Sequence, residues 1–231
     1  KDNYGAYDGA GNLLLPVVHR SVSPFYDGIS CVEQKNKKHV FYRRNGSLLT
    51  NDRYEEALPF SEGLAAVTKK KKHSGFIDTS GAEAIPCTYE SVQSFQEGLA
   101  AVMVKGKWGF IDRSGAFVIK PQFRSTAIHG FSDGLAMVKE KKGWSIIDRS
   151  GKKLFKTRYE EVGPFEDGLA EVYRETRTAN IGGFLLKGLV IVKHLPTFGR
   201  DIEMFDEKLK RGYIDRTGAE VISTKHDYIA A

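Results

Sequence analysis

The stretch Gly98-Leu99-Ala100-Ala101-Val102-Met103-Val104-Lys105-Gly106-Lys107-Trp108-Gly109-Phe110-Ile111-Asp112-Arg113-Ser114-Gly115-Ala116-Phe117-Val118-Ile119-Lys120-Pro121 decides the fold. It contains three short apolar runs, each rich in β-branched, aromatic or small residues. Lys105-Gly106-Lys107 breaks the first from the second, Asp112-Arg113-Ser114-Gly115 breaks the second from the third, and Pro121 stops the third. Runs of this length between glycine and proline read as β-strands. The Asp turn has a local cause: its carboxylate can accept nearby backbone N–H groups, and glycine suits the closing position. The stretch therefore predicts a three-stranded antiparallel meander. The segment before it, Tyr89 to Phe95, reads either as a short fourth strand or as a crossing turn.

The same pattern recurs along the chain. Phe, two residues, Gly, then Leu or Ile begins at Phe25, Phe60, Phe95, Phe131 and Phe165, every 34 to 36 residues. The turn glycines fall in step at Gly11, Gly46, Gly81, Gly115, Gly151 and Gly218, and mark the unit ends. A fixed period of this size is the signature of a repeat architecture. The residues in the Trp108 position of the six copies are Tyr4, His39, Ser74, Trp108, Trp144 and Arg211; Ser145 replaces the glycine that follows in the fifth.

These residues resemble the WG-repeat family, named for the pair seen here as Trp108-Gly109. The resemblance covers nearly the whole chain and weakens toward its ends. It implies a bacterial all-β module, often part of a larger or exported protein, and brings no catalytic residues. The expected fold is all-β: tandem antiparallel meanders of about 35 residues. An open, solenoid-like stack is favoured over a closed β-propeller, since a propeller blade usually takes about 40–45 residues. The ends also overlap rather than complement, because Tyr4-Gly5-Ala6-Tyr7-Asp8 and Tyr213-Ile214-Asp215 supply the same strand.

Composition narrows the function classes. The chain has 231 residues, 41% of them apolar and 28% charged, with formal net charge +6. That is enough apolar content for a core. Two cysteines, Cys31 and Cys87, exclude a disulfide scaffold and read as free fillers. The most apolar stretch, Ile181 to Val192, includes Lys187 and falls short of the ~20 residues of a membrane span. Residue 1 is Lys and no apolar leader follows, so the expected setting is either cytoplasmic or exported with its signal outside this chain.

Repetition separates structural from functional residues. A residue present once per unit serves every unit, so the Asp of each Asp-x-x-Gly reads as a turn former and the aromatic runs as core. No histidine pair has metal-ligand spacing, and no nucleophile, phosphate or dinucleotide motif occurs. The expectation is thus a non-enzyme with no catalytic, cofactor or metal residues. His129 and His194 are the off-pattern titratable residues on which an enzyme reading would rest.

Two features bear on partners. Lysines crowd the turn after the Gly-Leu-Ala run: Lys35, Lys37 and Lys38; Lys69, Lys70, Lys71 and Lys72; Lys105 and Lys107; Lys139, Lys141 and Lys142. Stacked units should line these up as a basic stripe, with the acids Asp27, Glu62, Glu97, Asp133 and Asp167 in a separate row. Second, the last hairpin carries an insertion over 173–210, with a strand-like run from Phe184 and an amphipathic helix over 201–210. It reads either as a recognition element or as a cap on the stack. The expected function is protein–protein interaction and scaffolding through the repeat surface and the insertion. Candidate contacts are Lys70, Lys71, Lys105, Lys107, Lys141, Phe184, His194, Phe198 and Phe205. The alternative is a carbohydrate, cell-envelope polymer or other anionic ligand gripped by the lysines with Trp108 and Trp144. Nucleic acid is less favoured, because its binding usually wants aromatics or arginine beside the charge and these turns offer mainly lysine.

Overall fold

The computed structural model describes residues 3–70, 73–125, 127–141, 143–175 and 209–223. These form six small antiparallel sheets in chain order. The first sheet pairs β1 (Tyr4–Tyr7) with β2 (Leu13–His19). The second joins β3 (Ser21–Val22), β4 (Ile29–Glu33) and β5 (His39–Arg43). The next two sheets have four strands each. They are β6 (Glu56–Ala57), β7 (Leu64–Lys70), β8 (His73–Asp78) and β9 (Glu83–Tyr89), then β10 (Ser91–Val92), β11 (Ala100–Val104), β12 (Lys107–Ile111) and β13 (Phe117–Phe123). The fifth sheet holds β14 (Ile128–Ser132), β15 (Leu135–Glu140), β16 (Gly143–Asp148) and β17 (Lys153–Thr157). The sixth holds β18 (Glu161–Glu166), β19 (Leu169–Glu175), β20 (Leu209–Asp215) and β21 (Glu220–Ile222). The segment that the sequence leaves open is thus a strand, the first of the second to sixth sheets rather than a link between sheets.

The Asp turn forms as expected. Asp112 Oδ1 accepts the N–H of Ser114 at 2.9 Å and of Ala116 at 3.1 Å, with the Ser114 hydroxyl at 2.6 Å. Asp78, Asp148 and Asp215 repeat this set. Where Arg43 replaces the Asp, Asn45 Oδ1 takes the Ser47 N–H instead. The turn keeps its acceptor, so the repeat survives the substitution.

The core is divided among the sheet interfaces. Along β11 and the residue before it, Leu99 and Ala101 face the fifth sheet beside Phe110, Phe131 and Val138. Ala100 and Val102 face the third, beside Phe76 and Phe95. Both faces are covered, which is why this strand is a continuous apolar run of small residues. Further cores lie between the first and second, second and third, and fifth and sixth sheets. The extensive contacts between sheets link consecutive sheets only, and none closes into a barrel. Among the described residues the chain is an all-β tandem array, as the open stack predicts.

Close approach dictates the Gly of Trp-Gly. A Cβ on Gly109 would lie 2.5 Å from the Ile119 carbonyl oxygen and 2.7 Å from the Pro121 nitrogen. The cause is a bulge: Trp108 pairs with Phe123 while Phe110 pairs with Ile119, so β13 gains two residues around Pro121. The third sheet has the same arrangement with Gly75 and Pro86.

The last hairpin refines one boundary. β19 and β20 stay paired out to Glu175 and Leu209, so both ends of the expected 173–210 insertion are ordinary hairpin strand. The expected helix and the strand-like run from Phe184 lie outside the described residues.

Candidate functional site

The first strands of the last four sheets converge. β6, β10, β14 and β18, with the residues following them, border a cleft of about 460 Å³. Leu58 and Pro164 give it apolar walls, while Glu56, Gln93, Gln96 and His129 supply polar groups. The His129 ring lies 4.9 Å from that of Trp144, and its pKa is lowered, first by burial and second by the Lys139 charge. Its ordinary value is 6.5, so the imidazole is neutral at pH 7 and offers one donor and one acceptor. Two amides, a neutral imidazole and one carboxylate can bond backbone or polar groups of a ligand running across the sheets.

A second constellation joins the units. In Ser61-Glu62-Gly63-Leu64, Ser61 and Leu64 exchange both backbone bonds, and Glu62 and Gly63 have φ of 54° and 80°. This is the two-residue hairpin turn with both central residues left-handed, the type that favours Asp-Gly. The acid then reaches forward one unit. Glu62 accepts the Gly98 N–H at 3.0 Å, Glu97 that of Gly134 at 3.0 Å, and Asp133 that of Gly168 at 2.7 Å. Asp27 accepts the Gly63 N–H at 3.2 Å. An arginine of the receiving unit completes each of three joints. Arg113 donates to Glu62 at 2.9 Å, Arg149 to the Glu97 carbonyl at 3.0 Å and Arg216 to the Asp133 carbonyl at 2.8 Å. The acid row expected from sequence therefore exists, and its role is to link sheets. The signal available was the acid-Gly dipeptide itself, which marks the left-handed turn.

The basic turns are partly neutralised. Lys69 meets Glu83 at 2.7 Å, Lys38 pairs with Glu55, and Lys139 pairs with Glu161 at 3.5 Å while lying over the Trp144 ring. Lys70 ends β7, Lys105 and Gly106 form another left-handed turn, Lys107 begins β12, and Lys141 follows β15. These four have no ion pair among the described residues. Lys71, Phe184, His194, Phe198 and Phe205 lie outside those residues.

The tryptophans correct one expectation. Trp108 is 6% exposed and Trp144 1% exposed, each within an intersheet core. Trp144 Nε1 donates to the Glu160 carbonyl at 3.2 Å. Neither ring can present a stacking face to a sugar, so the polymer reading loses its aromatic arm and keeps only the lysines. The cysteines are inert in character: burial pushes the Cys31 thiol up to about 12 and the Cys87 thiol up to about 11. Among the described residues, no three His, Cys, Asp or Glu side chains group to hold a metal ion. No helix there is long and apolar enough to cross a membrane.

A family model agrees with this repeat architecture. A family model described as WG containing repeat matches residues 4–37, 41–72, 75–108, 108–144 and 144–174. No curated protein matches the chain. Among solved structures, the chain is similar to the extracellular domain of a putative hybrid two-component system from B. thetaiotaomicron. The identity is 13%, covering 73% of this chain and 27% of that one, with TM-score 0.46. A second extracellular domain of that kind from the same organism gives 11% identity, 75% and 28% coverage, and TM-score 0.39. The WD40 β-propeller domain of Doa1 gives 15% identity, 71% and 64% coverage, and TM-score 0.40. The chain thus spans about a quarter of the first two structures' length.

Proposed function

The chain belongs to the WG containing repeat family, and from that premise we propose that it is a non-enzymatic binding and scaffolding module for a protein partner. The ligand in this reading is an extended polypeptide segment laid across the first strands of successive sheets. The observation that carries it is the cleft of about 460 Å³, where Glu56, Gln93, Gln96 and His129 from three sheets converge beside Leu58 and Pro164. The walls come from strands locked into intersheet cores, so the backbone frame of the cleft is held before the ligand arrives. Preorganisation of that kind reduces the entropy lost on binding.

Peptide display from the source proteome tests the proposal. Peptides selected on the intact chain should lose about tenfold or more in affinity on Leu58→Glu and on Gln96→Arg, as for well-packed contacts. Melting of both variants should be unchanged. Selected peptides indifferent to both variants would exclude the cleft as the binding site.

A further inference from the structure

The fourth sheet breaks a charge pattern that its sister sheets keep. In the second sheet His39 pairs with Tyr54, so the adjoining residues, Lys38 and Glu55, stand opposite each other and form an ion pair. In the third sheet Ser74 pairs with Tyr89, and Glu90 takes the place of Glu55. In the fourth sheet Trp108 pairs with Phe123 in the same way, and the adjoining residues are Lys107 and Arg124. Arg124 thus stands where the two preceding sheets have a carboxylate. Residues directly opposite on antiparallel strands share a face, and like charges placed there are destabilising. The register that holds the two cations together is fixed, because Trp108 and Phe123 are both buried in one intersheet core.

A third cation adjoins them. Val104 pairs with Lys107 across the left-handed turn of Lys105 and Gly106, which puts Lys105 at the tip beside Lys107. Lys105 and Arg124 are exposed and Lys107 is half-buried. None of the three has an ion pair among the described residues. The acid nearest in register is Glu90, which lies in the same cross-strand row with Val104 between it and Lys107. In the second, third and fifth sheets one lysine of the equivalent hairpin meets a carboxylate of the chain: Lys38 meets Glu55, Lys69 meets Glu83 at 2.7 Å and Lys139 meets Glu161 at 3.5 Å. What the hairpin end of the fourth sheet lacks is therefore a carboxylate.

We propose that this end of the fourth sheet binds an acidic polypeptide segment of a protein partner. One carboxylate of the segment sits between Lys107 and Arg124, as Glu55 sits against Lys38. The Arg124 guanidinium offers two parallel N–H donors to it, the geometry that suits a carboxylate. Lys105 receives the next acid along the segment. The like-charge pair lowers the stability of the free array and is relieved on binding. None of the three residues borders the cleft between the first strands, so this site stands whether or not the cleft binds a peptide.

The probe is hexaglutamate, titrated into the intact chain at low salt and followed by NMR. Shifts should concentrate at Lys105, Lys107 and Arg124. Lys107→Glu and Arg124→Glu should each weaken binding about tenfold or more. Lys152→Glu makes the same change of net charge at the Asp turn of the fifth sheet, and should leave binding within about twofold. Lys107→Glu should also raise the melting temperature of the free protein by about 2 °C, because it sets a carboxylate opposite Arg124. Absence of binding, shifts spread evenly over the basic surface, or an equal loss on Lys152→Glu would each overturn the proposal. So would a lowered melting temperature in Lys107→Glu, since a carboxylate of the chain itself would then already hold Lys107. Inorganic phosphate that shifts the three residues at a lower concentration than hexaglutamate would assign them to a phosphate group and overturn it as well.

Discussion

Gly109 in the fourth sheet and Ser145 in the fifth hold the same place in the repeat, yet the strand beside each runs differently. Next to Gly109, β13 carries Pro121 and a bulge, and its backbone crowds the glycine. Next to Ser145, β17 carries Thr157 where β13 has Pro121 and pairs in simple register there, with Trp144 opposite Thr157, Ser145 opposite Lys156 and Ile146 opposite Phe155. The straight ladder leaves room for a side chain, and the serine is fully buried there. The lesson is that the glycine and the proline act as one device. Proline cannot donate to the ladder, the strand bulges around it, and the bulge excludes a Cβ opposite. Where the proline is absent the glycine is dispensable.

The largest break of this comparison should come from Gly109→Ala. The methyl meets backbone on two sides, so a loss of about 3 kcal/mol or more is expected by thermal or urea unfolding. Next is the joint between these two sheets. Glu97→Ala leaves the Gly134 N–H and Arg149 without their acid and should lower stability by about 1 kcal/mol, with the interface cores otherwise intact. Ser145→Ala should be far milder than Gly109→Ala, shifting stability by about 1 kcal/mol or less, because the straight ladder accepts either side chain.

The smallest effect separates the two sheets by pH. In the fifth sheet Glu140 pairs with Lys153 and Lys156, and their hydrogen bonds hold its carboxyl near 2 instead of its ordinary 4.5. A depressed folded pKa contributes stability above the unfolded value, and this is lost as pH falls from about 4.5 toward 2. The fourth sheet has Val104 near the corresponding hairpin end and lacks this contribution. Unfolding followed across that window should show a shallower acid limb in Glu140→Gln than in the parent chain. An unchanged limb would mean that the Glu140 pairs contribute nothing to folding.

Much of this fold is legible in the sequence because its causes are local. The Asp turns, the Gly-Leu-Ala strands and the period follow from neighbouring residues alone. The strands β3, β6 and β10 escape such reading because each has only two residues, Ser91 and Val92 in β10. The acid joint escapes because the carboxylate and its N–H partner stand about 35 residues apart in different units, though Asp27-Gly28 and Glu62-Gly63 do announce the left-handed turn. The cleft escapes because no motif encodes it: Glu56, Gln93 and His129 meet only when three sheets converge. The lysine turns read as one basic stripe from sequence, but sequence spacing cannot show that Lys38, Lys69 and Lys139 each find a carboxylate.

The joint between units has a consequence for how such a chain can grow. Each unit carries both halves of the linkage on adjacent residues, an acid that reaches forward and a glycine N–H that receives from behind. Copying one unit in frame therefore copies a complete plug and socket. The new unit can join its neighbours without any compensating mutation elsewhere, so the length of the array can drift by unequal crossing-over while every junction remains satisfied.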